Sequence, residues 1–405
     1  MVTVPGEADT ADAPVHSSGE IHLGPSQLAG LIVVLLLAFA SPLTLPYNIG
    51  AIVTTFGALK SQAGLVATVE GMSISLASIA ASRLLVRFRA RTFALSGLVL
   101  VASAHIFTVF ATDIATLAVL RAIGGTGTGI VVSCIMATAA RSRNPEMTFG
   151  WINAAVGGFV SILALIVPAA ISRGGFDGAY TLYAVFAVIA FAFLPFVPDQ
   201  KAPVHTRART PGRIGDESDH LVRTGWIALF GLGIVFFAHA GLLAFVERIG
   251  AELNISLTQI GLVMFVGGLL TIVGPLGAGF VGARFGSSRP ALLLIILMSL
   301  SALVLTIGAT PLGFLVSVPL LVLLPPTMMP SFLGGLATLD PSGRLAGAHP
   351  AFVTMGAALG PVVSGAVADT GGFGAVGWYT AAIFGLGLGL MLLGTYQADR
   401  IRRHA

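Results

Sequence analysis

Long apolar stretches alternate with short polar connections along almost the whole chain, and twelve of those stretches are each long enough to cross a bilayer. About 20 helical residues traverse the ~30 Å hydrocarbon core. The spans run over 27–49, 60–82, 92–112, 114–140, 148–171, 178–197, 225–246, 258–282, 290–309, 312–335, 345–368 and 376–396. The apolar rhythm breaks once, at residues 199–224 (DQKAPVHTRARTPGRIGDESDHLVRT), whose polar, basic, Pro/Gly-bearing composition is that of a flexible linker. Six spans precede it and six follow. The expected fold is an all-α integral membrane protein with twelve transmembrane helices in two six-helix pseudo-repeat bundles. Its parts are a disordered cytoplasmic tail (1–25), a first bundle (26–197), a cytoplasmic linker (198–224), a second bundle (225–397) and a short cytoplasmic tail (398–405).

Charge placement orients the chain. Only 9% of residues are charged and 56% are hydrophobic, against about 25% charged in a soluble domain. The net charge of +4 would suggest nucleic acid until the charges are located. Of 21 Lys and Arg, 17 fall in connections on one side. They are Arg83, Arg87, Arg89, Arg91, Arg141, Arg143, Lys201, Arg207, Arg209, Arg213, Arg223, Arg284, Arg289, Arg344, Arg400, Arg402 and Arg403. The other side holds Lys60, Arg173 and Arg248, and Arg121 lies within the fourth span. The positive-inside rule then puts both termini in the cytoplasm of a multi-pass protein, expected in the plasma membrane, with the lipid bilayer and no nucleic acid as partner. The acidic N-terminal residues Glu7, Asp9, Asp12 and Glu20 weigh little in that rule. No basic segment followed by an apolar core opens the chain, so span 1 is expected to act as an uncleaved signal anchor. The single cysteine, Cys134, excludes an intramolecular disulfide and reads as a small packed residue of span 4.

The two halves echo each other. Span 1 begins near Leu28 and span 7 near Trp226. The loop VRFRAR (86–91) corresponds to ARFGSSR (283–289); Arg87 and Arg284, each followed by Phe, are 197 residues apart. A duplicated six-helix unit joined by a cytoplasmic linker is a transporter architecture, with the solute site expected between the halves near the midplane.

Three motifs then carry a family resemblance. Gly279-Phe-Val-Gly282-Ala283-Arg284-Phe285-Gly286-Ser-Ser-Arg289 is similar to the loop signature G-x-x-x-D-R-x-G-R-R of the major facilitator superfamily, with Ala283 at the acid position. Ser82 to Arg91 fits less closely, with Val86 at its acid position. Arg121-Ala-Ile-Gly124-Gly125-Thr-Gly127-Thr-Gly129 in span 4 resembles the family's R-x-x-x-G-x-G motif. Gly356-Ala-Ala-Leu-Gly360-Pro361-Val-Val-Ser-Gly365 in span 11 resembles G-x-x-x-G-P-x-x-G, which antiporters of the family usually show in span 5; here span 5 reads Val156-Gly-Gly-Phe-Val-Ser-Ile162 and does not match. The resemblance covers about residues 27–396. It implies a twelve-helix transporter cycling between inward- and outward-open states. In the family the missing acid helps lock the cytoplasmic helix ends in one state.

The residues have readings of their own. Gly125 and Gly129, and likewise Gly356 and Gly360, lie four apart on one helix face, as close helix packing in lipid requires. They serve either plain packing or a sliding face. Pro361, with Pro325, Pro326 and Pro330 in span 10, gives sites of bending. Glu70 lies near the bilayer middle in span 2, and Arg121 at a similar depth in span 4. Charge at the centre costs about 2.5–3.5 kcal/mol on insertion scales and faces a cavity or a partner. The two are therefore expected to pair, as proton-coupling residues if the pair forms in one state only, or as a permanent structural ion pair. Three histidines are expected to be buried. His105 reads as structural, His239 as a solute contact or a structural residue, and His349 lies near the cytoplasmic end. Tyr47 and Asn48, just after Pro46, are candidate solute-cavity residues at the outward mouth, and Asn153 is another nearer the cytoplasm. Glu247 and Arg248 form either a gate or a solvated cap. Trp151, Trp226 and Trp378 sit at span starts as interfacial anchors.

These residues point to a monomeric secondary transporter of a small organic solute, coupled to protons, with no cofactor and no metal. A mostly apolar cavity suits an amphipathic or weakly charged molecule better than a sugar. Proton-driven efflux and uncoupled facilitation remain open beside it. A membrane enzyme would need a nucleophile–base set, a metal cluster or a nucleotide loop, and none is present in the sequence. A transporter-like sensor would need an attached signalling domain. A channel fits poorly with pseudo-repeat halves and one buried acid.

Overall fold

The computed structural model describes residues 21–85, 87–199, 216–340 and 344–404. Within these, the side chains of 145–146, 216–219, 275–285, 344, 346 and 402–404 lie outside the description. Val86 and most of the linker thus fall outside the described residues. Thirteen α-helices follow one another. They are α1 (Pro25–Ala38), α2 (Ala40–Leu43), α3 (Leu45–Phe56), α4 (Lys60–Leu84), α5 (Ala90–Thr108), α6 (Ile114–Ala140), α7 (Pro145–Phe193), α8 (Asp216–Leu243), α9 (Val246–Glu252), α10 (Leu257–Phe285), α11 (Ser288–Thr306), α12 (Pro311–Leu339) and α13 (Arg344–His404).

Nine stretches of described helix are long and apolar enough to cross a membrane. Two of them hold two spans each, because α7 turns at Gly175 and α13 at Gly372. Both glycines have positive φ (58° and 68°) with extended ψ, a conformation that side-chain-bearing residues avoid. The first span completes the set of twelve. It is divided into α1, α2 and α3 by breaks at Phe39 and Thr44, beside Pro42 and Pro46, and it reaches Phe56 rather than ending at residue 49. The seventh span breaks likewise near its C-terminal end, between α8 and α9. Its helix starts at Asp216, inside the stretch that composition assigns to the linker.

Small residues let the helices approach. A Cβ at Gly125 or Gly129 would run into the carbonyl oxygens of Glu70 or Ile74 on α4, so α6 lies directly against α4. Gly127 meets Gly97 of α5 in the same way. In the second half, Gly356 and Gly360 of α13 meet the carbonyls of Gly233 and Phe237 on α8. Cys134 is fully buried among Leu31, Leu98, Val131 and Ile135. Trp151, Trp226 and Trp378 are all exposed.

Acids tie down the basic loops. Asp199, just beyond α7, meets Arg89 Nε at 2.8 Å, while Arg91 donates to the Val197 carbonyl at 2.8 Å. Asp399, near the end of α13, accepts from the amides of Ser287 (2.7 Å) and Ser288 (3.0 Å) and from the Ser288 hydroxyl. Gly286, with φ of 80°, leaves room for that carboxylate. Gly279 and Arg284 of the loop motif lie in the part of α10 whose side chains are outside the description.

Candidate functional site

Pieces of six helices converge on Arg121, the largest fully buried side chain. Tyr180 and Tyr183, three apart on α7, present one face to it, and the Tyr180 ring centroid lies 4.6 Å from the guanidinium carbon. His105 and Thr108 project from α5. Arg121 donates to His105 Nδ1 (3.2 Å), to the Ala104 carbonyl (3.2 Å) and to the Thr108 hydroxyl. Glu70, 6% exposed, brings Oε1 to 3.6 Å from Arg121 Nη1. That separation is an ion pair without a tight hydrogen bond.

The nearer partner of Glu70 is the broken first span. Ser41, on the four-residue α2, donates to Glu70 Oε1 at 3.1 Å. Asn48 donates to the Ser41 carbonyl at 3.0 Å and accepts from the Tyr183 hydroxyl at 2.8 Å. Thr44 and Tyr183 share a hydrogen bond of 2.6 Å. A continuous polar chain therefore runs from Tyr183 through Asn48 and Ser41 to Glu70 and Arg121. The breaks around α2 place three of its members.

The four residues read as lining a solute cavity do not meet. Asn48 is buried in this chain rather than standing at the outward mouth. Tyr47, one residue earlier, faces a separate pocket at the end of the bundle away from the basic loops. Asn153 is exposed on α7. His239 is buried and donates from Nε2 to the Leu321 carbonyl at 2.8 Å. That carbonyl has no helical donor, because Pro325 stands four residues on without an N–H. His349 is half-buried rather than buried. Sequence reasoning missed Ser41, Thr44, Thr108, Tyr180 and Tyr183. Hydroxyls three apart within a span, as at Ser41/Thr44 and Tyr180/Tyr183, were the available signal. No group of three or more His, Cys, Asp or Glu that could hold a metal occurs among the described residues.

The halves meet on the side away from the basic loops. Asp369 of α13 accepts from the Lys60 and Ser61 amides at 2.9 Å each, capping α4 from the other half. Gly64 lies on the Pro361 carbonyl and Gly365 on that of Lys60. Gly50 lies on the Glu247 carboxylate, and Arg248 donates to Thr54 at 3.0 Å. Gly261 of α10 lies on the Ala164 carbonyl, which Pro168 leaves without a helical donor.

The sequence profile of the Major Facilitator Superfamily matches residues 30–339. The fold is similar to that of the peptide transporter POT, with a TM-score of 0.74 at 16% identity over 95% of this chain and 97% of that one. The nucleoside transporter NupG gives 0.71 at 13% identity, over 91% and 99%. A bacterial homologue of the human lysosomal transporter Spinster, in an inward-facing and unoccupied conformation, gives 0.68 at 13%, over 93% and 97%.

Proposed function

Because the chain belongs to the Major Facilitator Superfamily and is a multi-pass membrane transporter by that membership, we propose that it moves a small organic solute by alternating access, driven by protons. It acts in the plasma membrane as a monomer with both termini in the cytoplasm. One observation carries the proton coupling. Glu70 Oε1 stands 3.6 Å from Arg121 and accepts at the same oxygen from Ser41, on a short helix set between two breaks. A nearby guanidinium favours an ionised carboxyl, and desolvation favours the neutral one. Glu70 releases its proton while Arg121 is beside it. It takes one up when displacement of α2 and α4 separates the pair. The seam joined by Asp369, Gly50 and Gly64 corresponds to the state closed on the outside, so solute enters or leaves on the side of the basic loops.

Flux in proteoliposomes tests this. Glu70→Gln keeps the size and the hydrogen bond from Ser41 but cannot ionise. It should exchange solute across the membrane and fail to concentrate it under a pH gradient. A Glu70→Gln protein that concentrates solute as the wild type does would remove the proton role and leave a facilitator. The sign of the wild-type gradient response separates uptake from efflux.

A further inference from the structure

The outer face of the seam holds a pocket of about 190 Å³ built from both halves. Tyr47 and Thr55 line it from the first half, together with Phe176 just past the Gly175 turn; Glu247 and Leu257 line it from the second. Two polar groups in it lack a hydrogen-bond partner among the described residues. The Tyr47 hydroxyl belongs to a side chain only 2% exposed and has no hydrogen bond. Glu247 Oε2 is buried without a hydrogen bond, on a side chain 12% exposed. Its nearest cation, Arg248, stands 4.0 Å away and spends a donor on Thr54 at 3.0 Å. Arg248 does not line the pocket.

Unmet polar groups in a buried site are costly, so their persistence points to an occupant that satisfies them. The occupant must donate to a carboxylate and a hydroxyl while covering Phe176, Ile171 and Leu257. A hard metal ion would need six or more oxygens, which this wall does not supply. An ammonium group on a small apolar body supplies the donors and the charge, and aromatic neighbours favour it further. We propose that this pocket binds a small organic ammonium ion from the outer side, at a site separate from Glu70 and Arg121. Such a ligand touches both halves at once. Its occupancy therefore holds the outer seam closed.

The probes are benzylammonium and its neutral counterpart benzyl alcohol, titrated by calorimetry against the full chain in nanodiscs. Benzylammonium should bind saturably and at least about tenfold more tightly than the alcohol. Glu247→Gln should weaken it at least tenfold, and Tyr47→Phe several-fold, with Glu70→Gln unchanged. Leu257→Trp, which fills the pocket without touching a charge, should abolish binding and serves if Glu247→Gln does not fold. Equal binding of amine and alcohol, or wild-type affinity in folded Glu247→Gln or Leu257→Trp, overturns the site. Loss in Glu70→Gln alone also overturns it, by moving the amine to the interior cluster.

Discussion

The two halves can be laid on each other residue by residue at an offset of 197, and they agree in frame while differing in chemistry. Gly57 and Asn254 both take the left-handed conformation, with φ of 59° and 58°. Gln62 and Gln259 both cap the helix that follows, accepting from the amides of Leu59 and Ser256 at 3.0 Å. Asp113 and Thr310 cap the next pair, and Gly175 and Gly372 turn the last. The charged interior is not shared. Glu70, His105 and Arg121 correspond to Gly267, Ala302 and Val318; Ser41, Thr44, Asn48, Tyr180 and Tyr183 correspond to Ala238, Gly241, Phe245, Gly377 and Thr380. None of the six spans of the second half, as read from the sequence, contains Asp, Glu, Lys or Arg. Backbone geometry therefore needs the caps, turns and close approaches in both halves. The buried charges are not part of that shared frame.

The crossing of the first and fourth spans in each half sharpens this. Pro42 deprives the Ala38 carbonyl of its helical donor, and Thr128 of α6 donates to it at 3.1 Å. At the same offset the partners exchange roles. His239 stands where Pro42 does, and Pro325 where Thr128 does, so the donor now comes from the seventh span and the proline from the tenth. In each half a proline removes one rung of a helical hydrogen-bond ladder at this crossing, and a side chain from across satisfies the freed carbonyl.

The largest effect should come from splitting the charge pair. Arg121→Leu leaves Glu70 buried without a counter-charge and frees His105, Thr108 and Tyr180 from their shared anchor. Removing one partner of a buried pair costs about 3–5 kcal/mol, whereas replacing both by apolar groups is often near neutral. The double variant Glu70→Leu/Arg121→Leu should thus recover most of the folded protein lost in Arg121→Leu, measured by thermal unfolding in detergent, while transport loses its pH-gradient dependence. If the double variant is as unstable as the single one, the cluster is a structural requirement of the first half and the contrast between halves weakens.

Next in size is the repaired crossing. His239→Leu leaves the Leu321 carbonyl without a partner in the protein interior, a cost of about 1–3 kcal/mol. Pro325→Ala restores the missing amide, so His239→Leu/Pro325→Ala should regain that stability in the same unfolding assay. Thr128→Val and Pro42→Ala should behave alike in the first half, on a smaller scale. Additive losses in both double variants would deny that these donors serve the proline gaps.

Much of the frame could be read from sequence because spans, caps and turns follow local rules. Apolar length marked the helices, the Arg-Phe echo gave the repeat offset, and lone charges singled out Glu70 and Arg121. Fragmentation of the first span was less legible, since Pro42 and Pro46 bend a helix without saying where it resumes. The members of the polar chain were hidden for that reason. Ser41 reaches Glu70 only because α2 is offset from α1, and Tyr183 reaches Asn48 from 135 residues away. Asp369 and Asp399 act through amides on distant helices, and no local pattern announces such a partner.

The smallest expected effect separates the halves by titration alone. Asp113 caps α6 by accepting from the Thr116 amide (2.8 Å) and hydroxyl (2.7 Å), whereas Thr310, 197 residues on, caps α12 with a hydroxyl that accepts from the Gly313 amide at 3.0 Å. Hydrogen bonds from Thr116, side chain first and amide second, hold the Asp113 carboxyl below its ordinary value. A depressed folded-state value contributes stability that is present above the unfolded value, near 3.8, and is lost as pH falls through the folded one. The start of α6 should therefore fray below about pH 4 while the start of α12 does not. Hydrogen exchange at the Thr116 and Gly313 amides, corrected for intrinsic rates, reads this directly. Asp113→Thr, which installs the second half's residue, should abolish the acid response at Thr116, and Thr310→Asp should create one at Gly313. Exchange that rises in parallel at both helix starts, or persists in Asp113→Thr, would mean that acid loosens the bundle as a whole rather than through this cap.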